Sequence, residues 1–377
     1  PRYEALHGND RSVIGFNNIE LITDRPLGLN LQEIKQIKKD WPDRALVVSL
    51  MVPCQEAAWK SILSQVEDTG ADGLELNFGC PHGMSERGMG AAVGQVPDYV
   101  EMVAAWCKEY SRLPVIVKLT PNVTNIRQPA RAARKGGADA VSLINTINSV
   151  MSVDLDSLSI NPTIDAMGTH GGYCGPAVKP IALHMVSDLA RDPECEGLPI
   201  SAIGGISNWR DAAEFLLLGA GNVQVCTAAM THGFKIVDDM IVGLSRFMKG
   251  KSFASVSDMV GRAVPSLTDW QHLNLNYTVK AQIDQDLCIK CGRCHIVCED
   301  TSHQAIYARH NGERRYEVNE EECVGCNLCV TVCPVENCLT LRKLENEVDV
   351  RTGQMVSSAE KLQWTRHPNN PMANADG

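Results

Sequence analysis

Two runs of four cysteines in the C-terminal part constrain the fold of this chain more than any other sequence feature. The runs are CIKCGRCHIVC, at 288–298, and CVGCNLCVTVCP, at 323–334. Both have the spacing CxxCxxCxxxC, in which a tight loop brings three thiolates to one cubane while the fourth cysteine reaches a second cubane. This segment is therefore expected to fold around two [4Fe–4S] clusters.

The crossed ligation assigns four thiolates to each cluster. Cluster one is expected to take Cys288, Cys291, Cys294 and Cys333. Cluster two is expected to take Cys323, Cys326, Cys329 and Cys298. A pair of Cys₄ zinc sites is the alternative, since two CxxC pairs can also form a tetrahedron. The repeated four-cysteine spacing favours iron–sulfur, and Cys338, outside both runs, is interpreted as a packed thiol.

Length and charge limit the number of domains and the classes of function that the chain can have. With 377 residues the chain can form a large domain and a smaller one, because single cores stop growing near about 250 to 300 residues. A net charge of −10 without a basic run argues against binding to nucleic acid. We find no apolar stretch of membrane-spanning length and no signal peptide. Cysteines in metal-ligand spacing indicate a reducing compartment, and we expect a cytoplasmic protein.

From residue 45 onward, β-branched apolar runs alternate with amphipathic helical patterns. The predicted strands are 45–51, 73–78, 115–120, 140–146, 199–205 and 222–227. The predicted helices include 57–69, 98–111, 126–135 and 209–218. Alternation of this kind predicts a parallel sheet.

Two α/β folds could contain this sheet, a doubly wound sheet and a (β/α)₈ TIM barrel. The barrel is favoured because reactive residues follow several different strands at their C-terminal ends, where barrels have their active sites. A complete barrel needs eight strands, so we expect one or two β/α units upstream of Pro1. The predicted divisions are a barrel at 1–250, a connector at 251–280, an α+β ferredoxin-like domain at 281–344 and a poorly ordered tail at 345–377.

Late-strand glycines suggest a flavin mononucleotide (FMN) site in the barrel. In AIGGISNWRDAAEF, Gly204 and Gly205 precede a helix with an N-cap expected at Ser207 or Asn208, and backbone N–H groups there could bind a phosphate. FMN can exchange single electrons with clusters and a hydride with an organic substrate. Glycine pairs that bind nothing also follow strands, which is the alternative interpretation.

Other residues could contact the same flavin. Lys118 lies in an apolar strand, where an unpaired lysine is costly to bury, and its charge would stabilise a reduced, anionic flavin. The alternative is a lysine whose ammonium group extends to water. Cys226 and Thr227 end the last predicted strand. The glycines of GMGAAVG do not form GxGxxG, so reducing equivalents are expected from elsewhere.

Cys80 follows a predicted strand on a glycine-flanked loop, NFGCPHGMSERGMG. A thiol with a pKa near about 8.5 can donate a proton at neutral pH, as reduction of an activated C=C bond by hydride transfer requires. We interpret Cys80 as that general acid; a structural thiol is the alternative. Asn18, Asn77, Asn145 and Thr146 could bind a cyclic amide or imide, although each alone could instead be a cap or turn residue.

Several segments together resemble dihydropyrimidine dehydrogenases. They are NNIELI, LELNFGCPHGMSERGMGAAVGQ, VKLTPNVT, INTI, CGPAVKPIAL, AIGGI and the two cysteine runs. The similarity extends from residue 1 to about residue 344 and is to the flavin barrel and ferredoxin part of the eukaryotic enzyme, or to the catalytic A subunit of the bacterial two-subunit enzyme. The related dihydroorotate dehydrogenases share the barrel without this cysteine loop and the double-cluster module.

The resemblance implies a set of site residues. The implied FMN contacts are Lys118, Gly175, Gly204, Gly205, Cys226 and Thr227. The implied pyrimidine contacts are Asn18, Glu20, Asn77, Asn145 and Thr146. Cys80 would be the proton donor on a mobile loop, in which position 79 is glycine where the eukaryotic enzyme has serine.

The resemblance also implies reduction of uracil and thymine to their 5,6-dihydro forms with electrons from NAD(P)H. The FAD-containing flavoprotein that oxidises NAD(P)H would be a partner subunit, in a homo-oligomeric or heterotetrameric assembly. Electrons would pass through the two clusters to FMN and then, as hydride, to C6 of the pyrimidine while Cys80 protonates C5. A dihydroorotate dehydrogenase-like ene-reductase and a non-catalytic iron–sulfur electron carrier are the alternatives.

Overall fold

The structure, a computed structural model, describes residues 1–20, 23, 25–82, 88–273, 277–301, 303–310, 312–344, 347–348, 355–356, 370 and 372. The chain divides into two compact units, Pro1–Ser266 and Leu267–Gly377. The boundary falls within the connector predicted at 251–280. Most of the predicted tail, and residues 83–87 of the predicted mobile loop, lie outside the described residues.

The first unit is built on a six-stranded parallel sheet. Its strands are β3 (Val47–Leu50), β4 (Gly73–Asn77), β5 (Val115–Lys118), β6 (Ala140–Leu143), β11 (Ile200–Ile203) and β12 (Asn222–Gln224). They are hydrogen-bonded in that order, so each pairs with the next parallel strand along the chain. A doubly wound sheet reverses its order at a switch point. The sequential order therefore confirms the predicted TIM-barrel fold.

Helices precede, connect and follow these strands along the chain. They are α1 (Leu27–Asp40), α2 (Glu56–Glu67), α3 (Ala91–Gly94), α4 (Pro97–Tyr110), α5 (Arg127–Lys135), α6 (Lys179–Ala190), α7 (Trp209–Leu217), α8 (Thr227–His232) and α9 (Ile236–Lys251). Helix α2 shows why they pack: Trp59, Ile62, Leu63 and Val66 recur at helical spacing and are all buried. The strands supply the other side of this core, and the central strands β4, β6 and β11 are buried on both faces.

An antiparallel sheet that the sequence analysis did not predict completes the first unit. Its strands are β1 (Tyr3–His7), β2 (Val13–Asn18), β10 (Gly171–Cys174) and β7 (Ile147–Ser149), in that spatial order. Asn18 is paired with Tyr3 on one side and with Gly172 on the other. A hairpin of β8 (Ser152–Asp154) and β9 (Ser159–Asn161) lies between β7 and β10 along the chain.

The second unit is a small α+β fold, as predicted. Strand β13 (Val279–Ile283) pairs with β16 (Leu339–Lys343), and β14 (Ile306–Arg309) pairs with β15 (Arg315–Val318). Two short helices pack against each other, α10 (Arg293–Glu299) and α11 (Leu328–Val332). Short strands β17 (Glu347–Val348) and β18 (Met355–Val356) also pair.

Short 3₁₀ helices also occur among the described residues. They are Pro176–Val178, Pro193–Cys195, Val256–Asp258, Val264–Ser266 and Trp270–His272. Met259, in the predicted connector, is fully buried and packs near Ala213 and Leu216 of α7. Across the part of the chain that the structure describes, no helix is long and apolar enough to cross a membrane.

Candidate active site and cluster sites

A cavity of about 430 Å³ opens where the C-terminal ends of the parallel strands face the antiparallel sheet. Its volume is within the range of small-molecule sites, about 300 to 1,000 Å³. Most of the predicted barrel-site residues line it, namely Asn18, Glu20, Lys118, Asn145, Thr146, Gly175, Gly204, Gly205, Cys226 and Thr227. Asn77 and Cys80 are not among the lining residues. The strand ends thus bring together side chains that are more than 200 residues apart in sequence.

Two glycines allow close backbone packing at the cavity wall. Gly175 and Gly205 have φ values of 95° and 73°, which side-chain-bearing residues rarely adopt. A Cβ on Gly205 would lie 2.8 Å from the backbone nitrogen of Lys179 and 2.9 Å from the carbonyl oxygen of Gly175. The loops that follow β10 and β11 can therefore meet only because position 205 is glycine.

Helix α7 begins after Asn208, one of the two N-caps predicted. The Asn208 side chain accepts hydrogen bonds from the backbone N–H groups of Arg210 and Asp211, at 2.8 and 3.2 Å. In return, Asp211 Oδ2 accepts from the N–H groups of Ser207 and Asn208, at 2.8 and 3.2 Å. Four N–H groups at this helix N-terminus are therefore engaged, and a carboxylate already lies there. Phosphate binding at this N-terminus stays a prediction. Gly204 and Gly205 remain at the cavity wall.

Lys118 is paired inside the barrel rather than extended to water. Its Nζ lies 3.4 Å from Oε1 of Glu75, and both side chains are largely buried. Glu75 Oε2 accepts hydrogen bonds from Ser142 and Gln224. Glu75 was not among the predicted site residues, although a carboxylate within an apolar strand run is the same signal that singled out Lys118.

Asn145 is held by an amide neighbour behind the cavity. Its Nδ2 donates to Oδ1 of Asn77 at 2.8 Å, and its Oδ1 accepts from the backbone N–H of Thr146 at 2.7 Å. A Cβ on Gly79 would lie only 2.3 Å from the Cβ of Asn145. Glycine at position 79 therefore lets the Cys80 loop pack directly on the Asn145 side chain, and Asn77 orients Asn145.

Two N-terminal residues that the sequence analysis missed hold Glu20. The Tyr3 hydroxyl donates to Glu20 Oε2 at 2.7 Å, and an Arg2 guanidinium nitrogen lies 3.4 Å from Oε1. Burial, with the Glu20 carboxylate next in effect, raises the pKa of Tyr3 to about 12, so Tyr3 stays a hydrogen-bond donor. Both Arg2 and Tyr3 line the cavity. No local sequence pattern connects residues 2 and 3 with residue 20.

Cys80 is linked to the cavity through His82. The Cys80 Sγ lies 3.5 Å from His82 Nδ1, and His82 Nε2 lies 2.8 Å from the carbonyl oxygen of Asn18. A carbonyl oxygen only accepts, so Nε2 carries the hydrogen. Burial lowers the pKa of His82, which leaves Nδ1 of the neutral ring as an acceptor for the Cys80 S–H. Burial also raises the pKa of Cys80 and keeps it a thiol.

In the second unit, the eight cysteines of the two runs face two small cavities. One cavity is lined by Cys288, Cys291, Cys294 and Cys333, together with Cys338. The other is lined by Cys298, Cys323, Cys326 and Cys329. This grouping is the one that crossed ligation of two cubanes requires. Among the residues that the structure describes, no three His, Cys, Asp or Glu side chains form a site for a single metal ion.

Backbone donors already point at two of the sulfurs. Ala281 N donates to Cys323 Sγ at 3.4 Å, and Ala305 N donates to Cys298 Sγ at 3.2 Å. Such bonds stabilise thiolate charge and are expected around iron–sulfur clusters, so the donor chemistry fits two cubanes. Cys338 is different: burial raises its pKa to about 12, and its Sγ lies 3.6 Å from the carbonyl oxygen of Asp284.

Comparisons with known proteins agree with this division into two units. The family model for dihydroorotate dehydrogenase matches residues 14–248, and the model for a 4Fe-4S dicluster domain matches residues 281–341. The NAD-dependent dihydropyrimidine dehydrogenase subunit PreA of Escherichia coli K12 is 41% identical over 345 residues, which cover 92% of this chain and 83% of that protein. The chain belongs to the dihydropyrimidine dehydrogenase family.

Two other relatives are similar to this chain over shorter segments. The chloroplastic dihydropyrimidine dehydrogenase (NADP(+)) of Arabidopsis thaliana is 42% identical over 293 residues, 76% of this chain and 68% of that protein. The catalytic subunit of dihydroorotate dehydrogenase B (NAD(+)) from Pyrococcus abyssi is 39% identical over 236 residues, 62% of this chain and 73% of that subunit.

Among solved structures, the dihydroorotate dehydrogenase of Eimeria tenella in complex with ferulenol has a TM-score of 0.54 at 20% identity. The match covers 66% of this chain and 71% of the Eimeria chain, and supports the barrel fold alone. As a member of the dihydropyrimidine dehydrogenase family, this chain is an oxidoreductase with an FMN-binding barrel and a 4Fe–4S dicluster domain.

Proposed function

We propose that this chain is the catalytic subunit of an enzyme that reduces the 5,6 double bond of uracil and thymine with NAD(P)H-derived electrons, in pyrimidine degradation. The observation that carries the proposal is the link from the Cys80 thiol through His82 to Asn18, which lines the cavity. This link supports an acid and a set of amide groups acting in one site. The names of the relatives support the same chemistry.

The cavity residues fit FMN by size and chemistry. Lys118 supplies a cation, Gly204 and Gly205 supply exposed backbone, and Thr227 supplies a hydroxyl near them. Apolar side chains suited to a flat ring complete the wall, namely Ile144, Val178, Ile203, Ile206 and Met230. When bound, FMN supplies a hydride for the pyrimidine, and the clusters supply single electrons.

Polar groups at the end of β2 and in the segments that follow β2 and β6 suit a pyrimidine. Uracil and thymine present N–H donors and carbonyl acceptors in alternation. Glu20, held by Tyr3, can accept from a ring N–H, and the amide groups of Asn18 and Asn145 can each donate and accept. Asn77 acts through Asn145, because it fixes which way that amide faces.

Cys80 donates the proton in this proposal. Its raised pKa keeps the donor form populated at neutral pH, and neutral His82 holds the S–H until it is transferred. Since Cys80 is not a lining residue, delivery to C5 of the ring requires its loop to move toward Asn18. Gly88, which follows the loop at a φ of 61°, suits such a motion because glycine accepts wide φ changes.

We propose that a FAD-containing flavoprotein subunit oxidises NAD(P)H and passes electrons to this chain, in a heterotetrameric or homo-oligomeric assembly in the cytoplasm. The Escherichia coli relative is itself named a subunit, which supports a partner. The sequence has no dinucleotide-binding GxGxxG motif, which also supports a partner subunit that binds NAD(P)H.

The test is an assay of the chain purified with its flavoprotein partner. NADH and NADPH oxidation is measured with uracil and thymine as substrates. In parallel, reduction of NAD⁺ and NADP⁺ is measured with dihydroorotate, which is already in the reduced form and can only donate electrons. We expect oxidation that depends on uracil and thymine and no turnover of dihydroorotate. Dihydroorotate turnover without uracil turnover would instead assign a dihydroorotate dehydrogenase-like ene-reductase. Cluster absorbance without bound FMN would assign an electron carrier.

A further inference from the structure

A buried carboxylate lies inside the barrel, just behind the cavity. Glu75 is on β4 and only 7% of its surface is exposed. Its Oε1 lies 3.4 Å from Lys118 Nζ on β5, and its Oε2 accepts from Ser142 Oγ on β6 at 2.9 Å. An ionised carboxylate is costly to bury without partners, so this position calls for a functional reason.

Gln224 is the third side chain that contacts the Glu75 carboxylate. Gln224 Nε2, on β12, donates to Glu75 Oε2 at 3.1 Å and to Ser201 Oγ, on β11, at 2.9 Å. Five parallel strands therefore contribute to one polar layer. With Oε2 fixed by two donors, Oε1 is held toward Lys118. Lys118 and Gln224 also line the cavity, so this layer forms part of its floor.

We propose that Glu75 is a positioning residue for the FMN site: it holds the Lys118 ammonium group in the cavity floor and restrains its approach to the flavin. This inference rests on the proposed function in one respect, the contact between Lys118 and FMN. A free ammonium group would approach the reduced, anionic flavin more closely and stabilise it more. Restraint by Glu75 keeps the FMN potential lower, which suits a flavin that must give its hydride to a C=C bond.

The experiment compares FMN midpoint potentials in the purified full-length chain with its partner. Glu75→Gln keeps the shape and the acceptor oxygen but removes the charge. We expect the two-electron equilibrium to shift at least about tenfold toward reduced FMN, a positive shift of about 30 mV. In a Lys118→Gln background, the same substitution should shift the potential much less, because the residue acts through Lys118.

Ser142→Ala is the matched control. It removes one of the two donors to Glu75 Oε2 and leaves the Glu75 and Lys118 charges, so it should lower thermal stability and shift the potential by less than Glu75→Gln does. No shift in Glu75→Gln, a negative shift, or an equal shift in both backgrounds overturns the inference. FMN content of the wild-type chain separates the two claims. A wild-type chain without FMN overturns the proposed function and this inference, whereas an FMN-replete chain with no Glu75 effect overturns the inference only.

Discussion

Replacing Gly205 with alanine tests whether the glycine loops at the cavity wall bind FMN. The residue has a φ of 73°, and a left-handed conformation costs a side-chain-bearing residue about 1–2 kcal/mol. The new Cβ would also lie 2.8 Å from Lys179 N and 2.9 Å from the Gly175 carbonyl oxygen. Both are backbone atoms that cannot rotate away, and overpacking of this kind costs about 1–3 kcal/mol. We expect Gly205→Ala to lower the free energy of unfolding by about 2–5 kcal/mol.

The same change should weaken FMN binding. If backbone N–H groups of the loops that follow β10 and β11 bind the FMN phosphate, separation of these loops would remove at least one hydrogen bond to a charged group, worth about 1.5–3 kcal/mol. FMN should therefore bind about ten to a hundred times more weakly. Fluorescence titration of the flavin-free chain measures this affinity, and denaturant unfolding measures the stability.

Gly221→Ala is the matched control, because a Cβ there would meet only the Ile200 carbonyl oxygen at 3.8 Å, an ordinary contact. That variant should keep its stability and its FMN affinity. Wild-type FMN affinity in Gly205→Ala, or equal losses in both variants, would refute the reasoning about this loop.

Three further substitutions test other parts of the account. Cys291→Ala should halve the iron content and leave the second cluster, as measured by iron analysis and electron paramagnetic resonance; retention of all iron would contradict the ligand assignment. Cys338→Ala should keep all iron, and a loss would make Cys338 a ligand. Gly79→Ala places a Cβ 2.3 Å from the Asn145 Cβ, so it should raise the KM for uracil by about tenfold, equivalent to about 1.4 kcal/mol, at unchanged FMN content. An unchanged KM would show that Asn145 does not bind the pyrimidine.

The parallel strands could be predicted because their signal is local. The run predicted at 115–120 contains Val115–Lys118, and the run at 73–78 contains Gly73–Asn77. Continuous β-branched segments are typical of strands that are buried on both faces. The antiparallel sheet has no such signal. Its strand Gly171–Cys174 contains two glycines, and Gly172 pairs with Asn18, more than 150 residues away. Pairing over that distance depends on the whole fold.

Much of the candidate site could be predicted for a related reason. Residues at strand ends, such as Lys118 and Asn145, gather at one edge of any barrel, so their placement needs only the strand positions. Three residues that act through a neighbour were missed. Tyr3, Glu75 and His82 matter because of Glu20, Lys118 and Cys80, respectively, and each pairing appears only in three dimensions.

The most direct test of the central claim is the pH dependence of uracil reduction by the wild-type enzyme and by Cys80→Ser. Because burial raises the pKa of Cys80, the wild-type rate should hold through neutral pH and fall only above the usual thiol value of about 8.5, as the donor proton is lost. A serine hydroxyl does not titrate in this range. Cys80→Ser should therefore keep FMN and both clusters, react about 10²- to 10⁴-fold more slowly and lack the alkaline fall in rate. A Cys80→Ser enzyme that is complete in its cofactors, reduces uracil at the wild-type rate and has an unchanged pH profile would contradict the account.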